Sequence, residues 1–131
     1  MKNLEQIRAA NALAYINSGH DTRGKENGNI LNKLPALIMG NGLLAAGAFA
    51  FAQRDGSGWK ACFDHIAKHL AHQEIAIAPG QDDLKKLMDF LSNKADSQVL
   101  KDATEEALGW LAYARRFEKN PVNGGDNDPD V

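Results

Sequence analysis

The stretch Leu34 to Ala52, LPALIMGNGLLAAGAFAFA, constrains this chain more than any other. Asn41 is its only polar side chain, so the segment must leave water for a protein core or a bilayer. A spanning helix needs roughly 18 or more apolar residues without strong breakers. Here Gly40-Asn41-Gly42 interrupts the run and Pro35 stands near its start, which divides it into two short elements. The spacing predicts a helix ending near Gly40, a tight turn at Asn41 and a second helix from Gly42 to about Gln53. From Leu43 to Ala52 that second helix is apolar on every side, which predicts protein all around it. No membrane span is expected.

At 131 residues, with 44% hydrophobic and 24% charged residues, the composition is that of one globular domain with a substantial core. No charged-then-apolar opening segment with a small-residue cleavage site is visible. The single cysteine, Cys62, can form neither an internal disulfide nor a cysteine-cluster zinc site. Both features suit a cytoplasmic protein. The net charge of -2 is set by the end of the sequence, where Asp126, Asp128 and Asp130 occur without a base. Leaving out those three acids gives +1 for residues 1–119, too weak a balance to announce a nucleic-acid binder. Local patches matter more than the sum.

Helical signals run along the rest of the chain. Asn3 with Gln6 forms a capping box ahead of Ile7, Ala10, Leu13 and Ile16, and Gly19 stops that helix. His20 to Asn29 reads as a solvated loop. A second helix covers about Ile30 to Met39, and Pro35 predicts either a kink or a helix start. Ser57 is placed to cap a fourth helix whose Trp59, Phe63, Ile66 and Leu70 share one face. Pro79-Gly80 lies in the loop after it. Asp82 and Asp83 open a fifth helix with the stripe Leu84, Leu87, Met88 and Leu91. The sixth starts near Ser97 and carries the seam Leu100, Ala103, Ala107, Trp110, Ala114 and Phe117. The expectation is therefore an all-α, single-domain compact bundle of about six helices around a buried central helix. Residues 1–119 form the domain, and 120–131 form a disordered acidic tail.

Chemistry-bearing residues are sparse. His65, His69 and His72 share a helix face, and two histidines at i and i+4 can hold a metal ion. Glu74 lies off that face, so they read instead as surface histidines or histidines facing a partner, and no metal site or cofactor is expected. Asp82-Asp83 and Glu105-Glu106 fall on early helix turns, where the helix dipole explains carboxylates without catalysis. Cys62 reads as a small buried hydrophobe. Phosphate loops, nucleotide-binding glycine fingerprints and nucleophile elbows do not occur. Arg8, Arg115, Arg116 and Lys119 converge if the first and last helices are neighbours, and are then candidates for phosphate contact. Solvated face residues and helix-dipole partners are the competing reading.

Leu34-Pro35-Ala36-Leu37-Ile38, Asn41-Gly42-Leu43 and Ala48-Phe49 together resemble the core pattern of one family. That family is the small subunit of the type III-B CRISPR effector, the Cmr RNA-targeting complex. Arg8-Ala9 and Ala14-Tyr15 resemble its opening helix, and Thr104 to Phe117 resembles its closing helix. The His20–Asn29 loop, the acidic tail and the histidine row lie outside the resemblance. The resemblance implies an all-helical, non-catalytic structural subunit that stacks as a minor filament and lines the guide/target RNA channel in antiviral defence. Its partners would be other Cmr-complex subunits, guide RNA, target RNA and self-stacking copies. RNA would be held by its backbone, because guide pairing supplies the sequence specificity. Two other readings fit the residues alone: an all-helical protein–protein interaction module unrelated to RNA, and a small metal-dependent enzyme built on the histidine row.

Overall fold

A computed structural model describes residues 2–19 and 30–119. Six helices follow in order: α1 (Leu4–Ile16), α2 (Ile30–Asn41), α3 (Leu43–Ala52), α4 (Trp59–Ala71), α5 (Leu84–Asn93) and α6 (Ser97–Lys119). The described residues contain no strand, so the all-α expectation holds. The His20–Asn29 loop and the acidic tail lie outside the described residues.

Local chemistry sets most of the helix ends. The Asn3 side chain accepts from Gln6 N–H at 2.8 Å and Gln6 Oε1 accepts from Asn3 N–H at 2.9 Å, completing the box. Asp83 caps α5 by accepting from Lys86 N–H at 2.8 Å, while Asp64 accepts from Leu84 N–H at 2.8 Å. The Asp64 bond ties the start of α5 to α4.

Pro35 lies inside α2, with five helical residues before it, so the helix starts at Ile30 as one of the two expectations had it and not at the proline. Two boundaries differ from the sequence reading. Asn41 belongs to α2, and the break falls one residue later at Gly42, where φ is 95°. Only glycine adopts that conformation readily, so the backbone reverses there rather than at the asparagine. The start of α4 is likewise set by a left-handed glycine, Gly58 at φ 97°, and Ser57 makes no side-chain cap.

α3 sits where α2, α4, α5 and α6 meet, and α6 packs in turn on α1, α2, α3 and α4. Leu43, Ala46, Gly47 and Ala50 of α3 face inward. The Met88 thioether lies directly over Gly47, in the space a β-carbon would need. Protein does not surround α3, however. Ala45, Ala48, Phe49, Phe51 and Ala52 remain at the surface, with Phe49 43% and Phe51 49% exposed. The apolar run is longer than one core-facing stripe needs, and among the described residues no helix covers its remainder. Among the described residues no helix is long and apolar enough to cross a membrane.

The interior is centred on Trp59, Trp110, Tyr15 and Phe63, all fully buried or nearly so. Tyr15 meets Trp110 at 5.4 Å between ring centroids, and Phe49 meets Trp59 edge-on at 5.0 Å. Such pairs contribute about 0.5–1.5 kcal/mol beyond their area. The α4, α5 and α6 stripes face this core as their spacing predicts. The α1 stripe does not: Ala10 and Leu13 are exposed, whereas Ile7, Ala12 and Tyr15 are buried.

Candidate functional site

The inward face of α1 holds polar residues. Arg8, Asn11, Ala12 and Tyr15 recur at helical spacing and turn towards α4 and α6. Arg8 donates from Nε to Glu106 Oε2 and from Nη2 to Glu106 Oε1, both at 2.8 Å. This two-pronged pairing is the strongest geometry available to the two groups. The same Glu106 Oε2 lies 2.8 Å from His69 Nε2. His69 Nδ1 lies 2.8 Å from Asn11 Nδ2. His69 therefore bridges Asn11 and Glu106 through its two ring nitrogens. Arg8, Asn11, His69 and Glu106 thus join α1, α4 and α6 through one continuous network.

The network is closed to water on two of its members: His69 is 1% and Glu106 7% exposed. Burial opposes the Glu106 charge, but hydrogen bonds and charge from Arg8 and His69 outweigh it and bring the carboxyl down to about 2. The hydrogen bonds that Arg8 donates to Glu106 correspondingly push its guanidinium up. Close approach is possible because residue 109 is glycine. A β-carbon there would stand 2.7 Å from Arg8 Cζ and 2.8 Å from Arg8 Nε.

These contacts correct two readings. His69 is not a surface histidine. Glu106 is a buried ion-pair partner rather than a carboxylate placed only to complement the helix dipole, whereas Glu105 beside it is exposed. The signal was present in α6: Glu106 lies three residues after Ala103 and four before Trp110, on the seam itself. The α1 partners carried no such signal, since Arg8 and Asn11 look like solvent-facing residues. The other histidines have separate surroundings. The His65 ring stands on Tyr15 at 5.0 Å between centroids, and His72 Nδ1 accepts from Glu74 N–H at 3.1 Å. Among the described residues, no group of three or more His, Cys, Asp or Glu is arranged to hold a metal ion.

The four candidate phosphate contacts fall into different settings. α1 and α6 are neighbours, with their broadest packing against each other. Arg8 is committed to Glu106, with its side chain 27% exposed. Arg115 and Arg116 are exposed in the last turns of α6. Arg8 and Arg116 act on the same phenol: burial and the Glu5 carboxylate push Tyr113 up, and the two guanidiniums pull it down. Arg115, one residue from Arg116, projects about 100° further round the helix. Lys119 closes α6, and its side chain lies outside the described residues.

The family model described as CRISPR-associated protein (Cas_Cmr5) matches residues 4–120. The chain belongs to this Cmr5 family. The match starts with the first residue of α1 and runs one residue past α6, so it takes in every helix, the Arg8–Glu106 pair and the three basic residues at the end of α6. It also spans the His20–Asn29 loop and stops before the three tail aspartates. Membership makes the chain a CRISPR-associated subunit of Cmr type, consistent with the small subunit of the type III-B complex. The Cmr5 family is an accessory one, not a known catalytic one. A search of curated proteins and of solved structures finds no match.

Proposed function

We propose that this chain is a non-catalytic structural subunit of a type III-B CRISPR effector ribonucleoprotein. It stacks with further copies as a minor filament and lines the channel that holds guide and target RNA, in cytoplasmic antiviral defence. The family match across all six helices carries this reading. RNA is held through its phosphates by Arg115 and Arg116, with Lys119 beyond them. Arg8 contributes by shaping that end of the α1–α6 surface, where its charge reaches Tyr113 together with that of Arg116. Ion pairing with phosphates needs no sequence-reading geometry, which suits a subunit working beside a guide-paired target.

The exposed side of α3 supports the protein-contacting half of the proposal. Ala45, Ala48, Phe49 and Ala52 line one helix face, and Phe51 and the 75%-exposed Met39 lie beyond it. Exposed apolar patches of this kind mark interaction surfaces. The same face also fits an interaction module unrelated to RNA.

The reading is tested by reconstituting the Cmr complex with the Arg115→Glu/Arg116→Glu variant. Target-RNA retention should fall, and the difference should be greatest at low salt, because phosphate contacts are salt-sensitive. The far-ultraviolet circular dichroism of the isolated variant should be unchanged. Equal retention across a salt series would remove RNA contact at this turn. Failure of the wild-type chain to co-purify with Cmr subunits and small RNAs would favour the RNA-independent module.

A further inference from the structure

We propose that Arg8, Tyr113 and Phe117 form a row of planar groups on which an unpaired RNA base stacks, beside the phosphate contacts at the end of α6. Tyr113 and Phe117 are four residues apart on α6, and Gly109 stands four residues before Tyr113. The three positions share one stripe of the helix, with about 6 Å between neighbours along the axis. Gly109 has no side chain of its own, and the Arg8 guanidinium from α1 lies over it. The stripe therefore presents a guanidinium, a phenol and a phenyl ring in succession.

Tyr113 and Phe117 are half-buried: each packs partly on the core, and the remainder of each meets solvent. Their centroids are 6.2 Å apart, with the planes tilted by 35°. That tilt leaves no parallel slot, so a base lies on an outer face rather than clamped between the two rings. The row is held in place before any ligand arrives. Glu106 grips Arg8 at two points, and the Tyr113 phenol shares a hydrogen bond with Glu5. Little side-chain freedom is then lost on binding.

Unstacked RNA bases settle on aromatic rings and arginine planes, and such stacking tolerates any sequence because every base has a π-face. Charge directs the rest of the nucleotide. The Glu5 carboxylate repels phosphate at the phenol end, while exposed Arg115 attracts it. Arg116 keeps the interaction it already has. That RNA is the ligand here rests on the proposed function; the stacking of a base, as distinct from the holding of phosphates, goes beyond it.

The experiment titrates the full chain by fluorescence anisotropy with two labelled single strands of equal length, an oligoadenylate and its fully abasic counterpart. The wild-type chain should bind the oligoadenylate severalfold more tightly than the abasic strand. Tyr113→Leu/Phe117→Leu, which keeps apolar side chains against the core, should bring the two affinities together without changing the circular dichroism. Tyr113→Phe should retain the preference. The salt dependence of binding should be the same for the wild type and the leucine variant, and shallower for Arg115→Gln, because stacking releases no counterions. Equal wild-type affinity for the two strands would overturn the proposal and leave phosphate contact standing. Binding of neither strand would overturn both this proposal and RNA contact at the end of α6. Equal affinities combined with loss of Cmr assembly in the leucine variant would overturn it in favour of a protein neighbour on the aromatic row.

Discussion

The Arg8 guanidinium fills the space that a side chain at Gly109 would occupy, with Arg8 Cζ 2.7 Å from the position of a β-carbon there. Glycine in a helix interior ordinarily costs about 1 kcal/mol relative to alanine. At this position the missing methyl group lets α1 bring its arginine to Glu106. Gly109→Ala should therefore destabilise the wild-type chain in urea unfolding. In an Arg8→Ala background the same substitution should become stabilising, by up to about 1 kcal/mol. A change of sign between backgrounds identifies the steric cause.

Removing Arg8 leaves the Glu106 carboxylate buried with only His69 beside it. Breaking a buried pair from one side costs roughly 3–5 kcal/mol, and the partial exposure of Arg8 places Arg8→Ala at about 3 kcal/mol. Because the two residues share one interaction, Arg8→Ala and Glu106→Gln should be strongly non-additive in a double-mutant cycle read by urea midpoints.

Glu106 should also leave a mark on acid stability. Its carboxyl is held lower in the folded chain than in the unfolded one, at about 2. The stabilisation is complete above the ordinary carboxylate range and is lost as pH falls through that window towards about 2. Between about pH 5 and pH 2 the wild-type urea midpoint should drop more steeply than that of Glu106→Gln. Parallel slopes would mean that Glu106 is not the group responsible.

Cys62 is fully buried, and that burial pushes its thiol up to about 12 despite an opposing hydrogen bond with Tyr15. The thiolate is the reactive form. Iodoacetamide at pH 8 should therefore leave the native chain unmodified, with labelling in urea following the unfolding transition. Rapid labelling without denaturant would contradict the packing around Cys62.

Gly47 is tightly covered by Met88. Gly47→Leu should cost roughly 1–3 kcal/mol by overpacking, measured by chemical denaturation. Met88→Ala in the same chain should recover part of that loss. Full additivity of the two substitutions would show that Met88 is not the obstructing group.

Much of the fold was legible before any coordinates. The Asn3–Gln6 box, the acidic start of α5 and the stripes of α4, α5 and α6 are short-range patterns, and each is found where its spacing placed it. The breaks around α3 were legible to within one residue, although the responsible residue is Gly42 and not Asn41. The face of α1 was misassigned. Ala10 and Leu13 supplied an apolar rhythm, yet the helix turns Arg8 and Asn11 inward and leaves those two outside. Of the candidate contact residues, Arg115 and Arg116 are exposed, and Arg8 is engaged with Glu106, a carboxylate that the sequence reading assigned to helix-dipole complementarity.

Residue order alone determined six helices, where most of them stop, and which sides of the later ones are apolar, because caps, glycines and helical spacing act within a few residues. Only tertiary structure decided that an arginine, a histidine, a glutamate and an asparagine would form a shared interior network. Burying a charged group is unfavourable unless its partner arrives with the right geometry. Here the partners come from separate helices, 98 residues apart for Arg8 and Glu106 and 37 for His69 and Glu106. No local pattern encodes a distance of that kind.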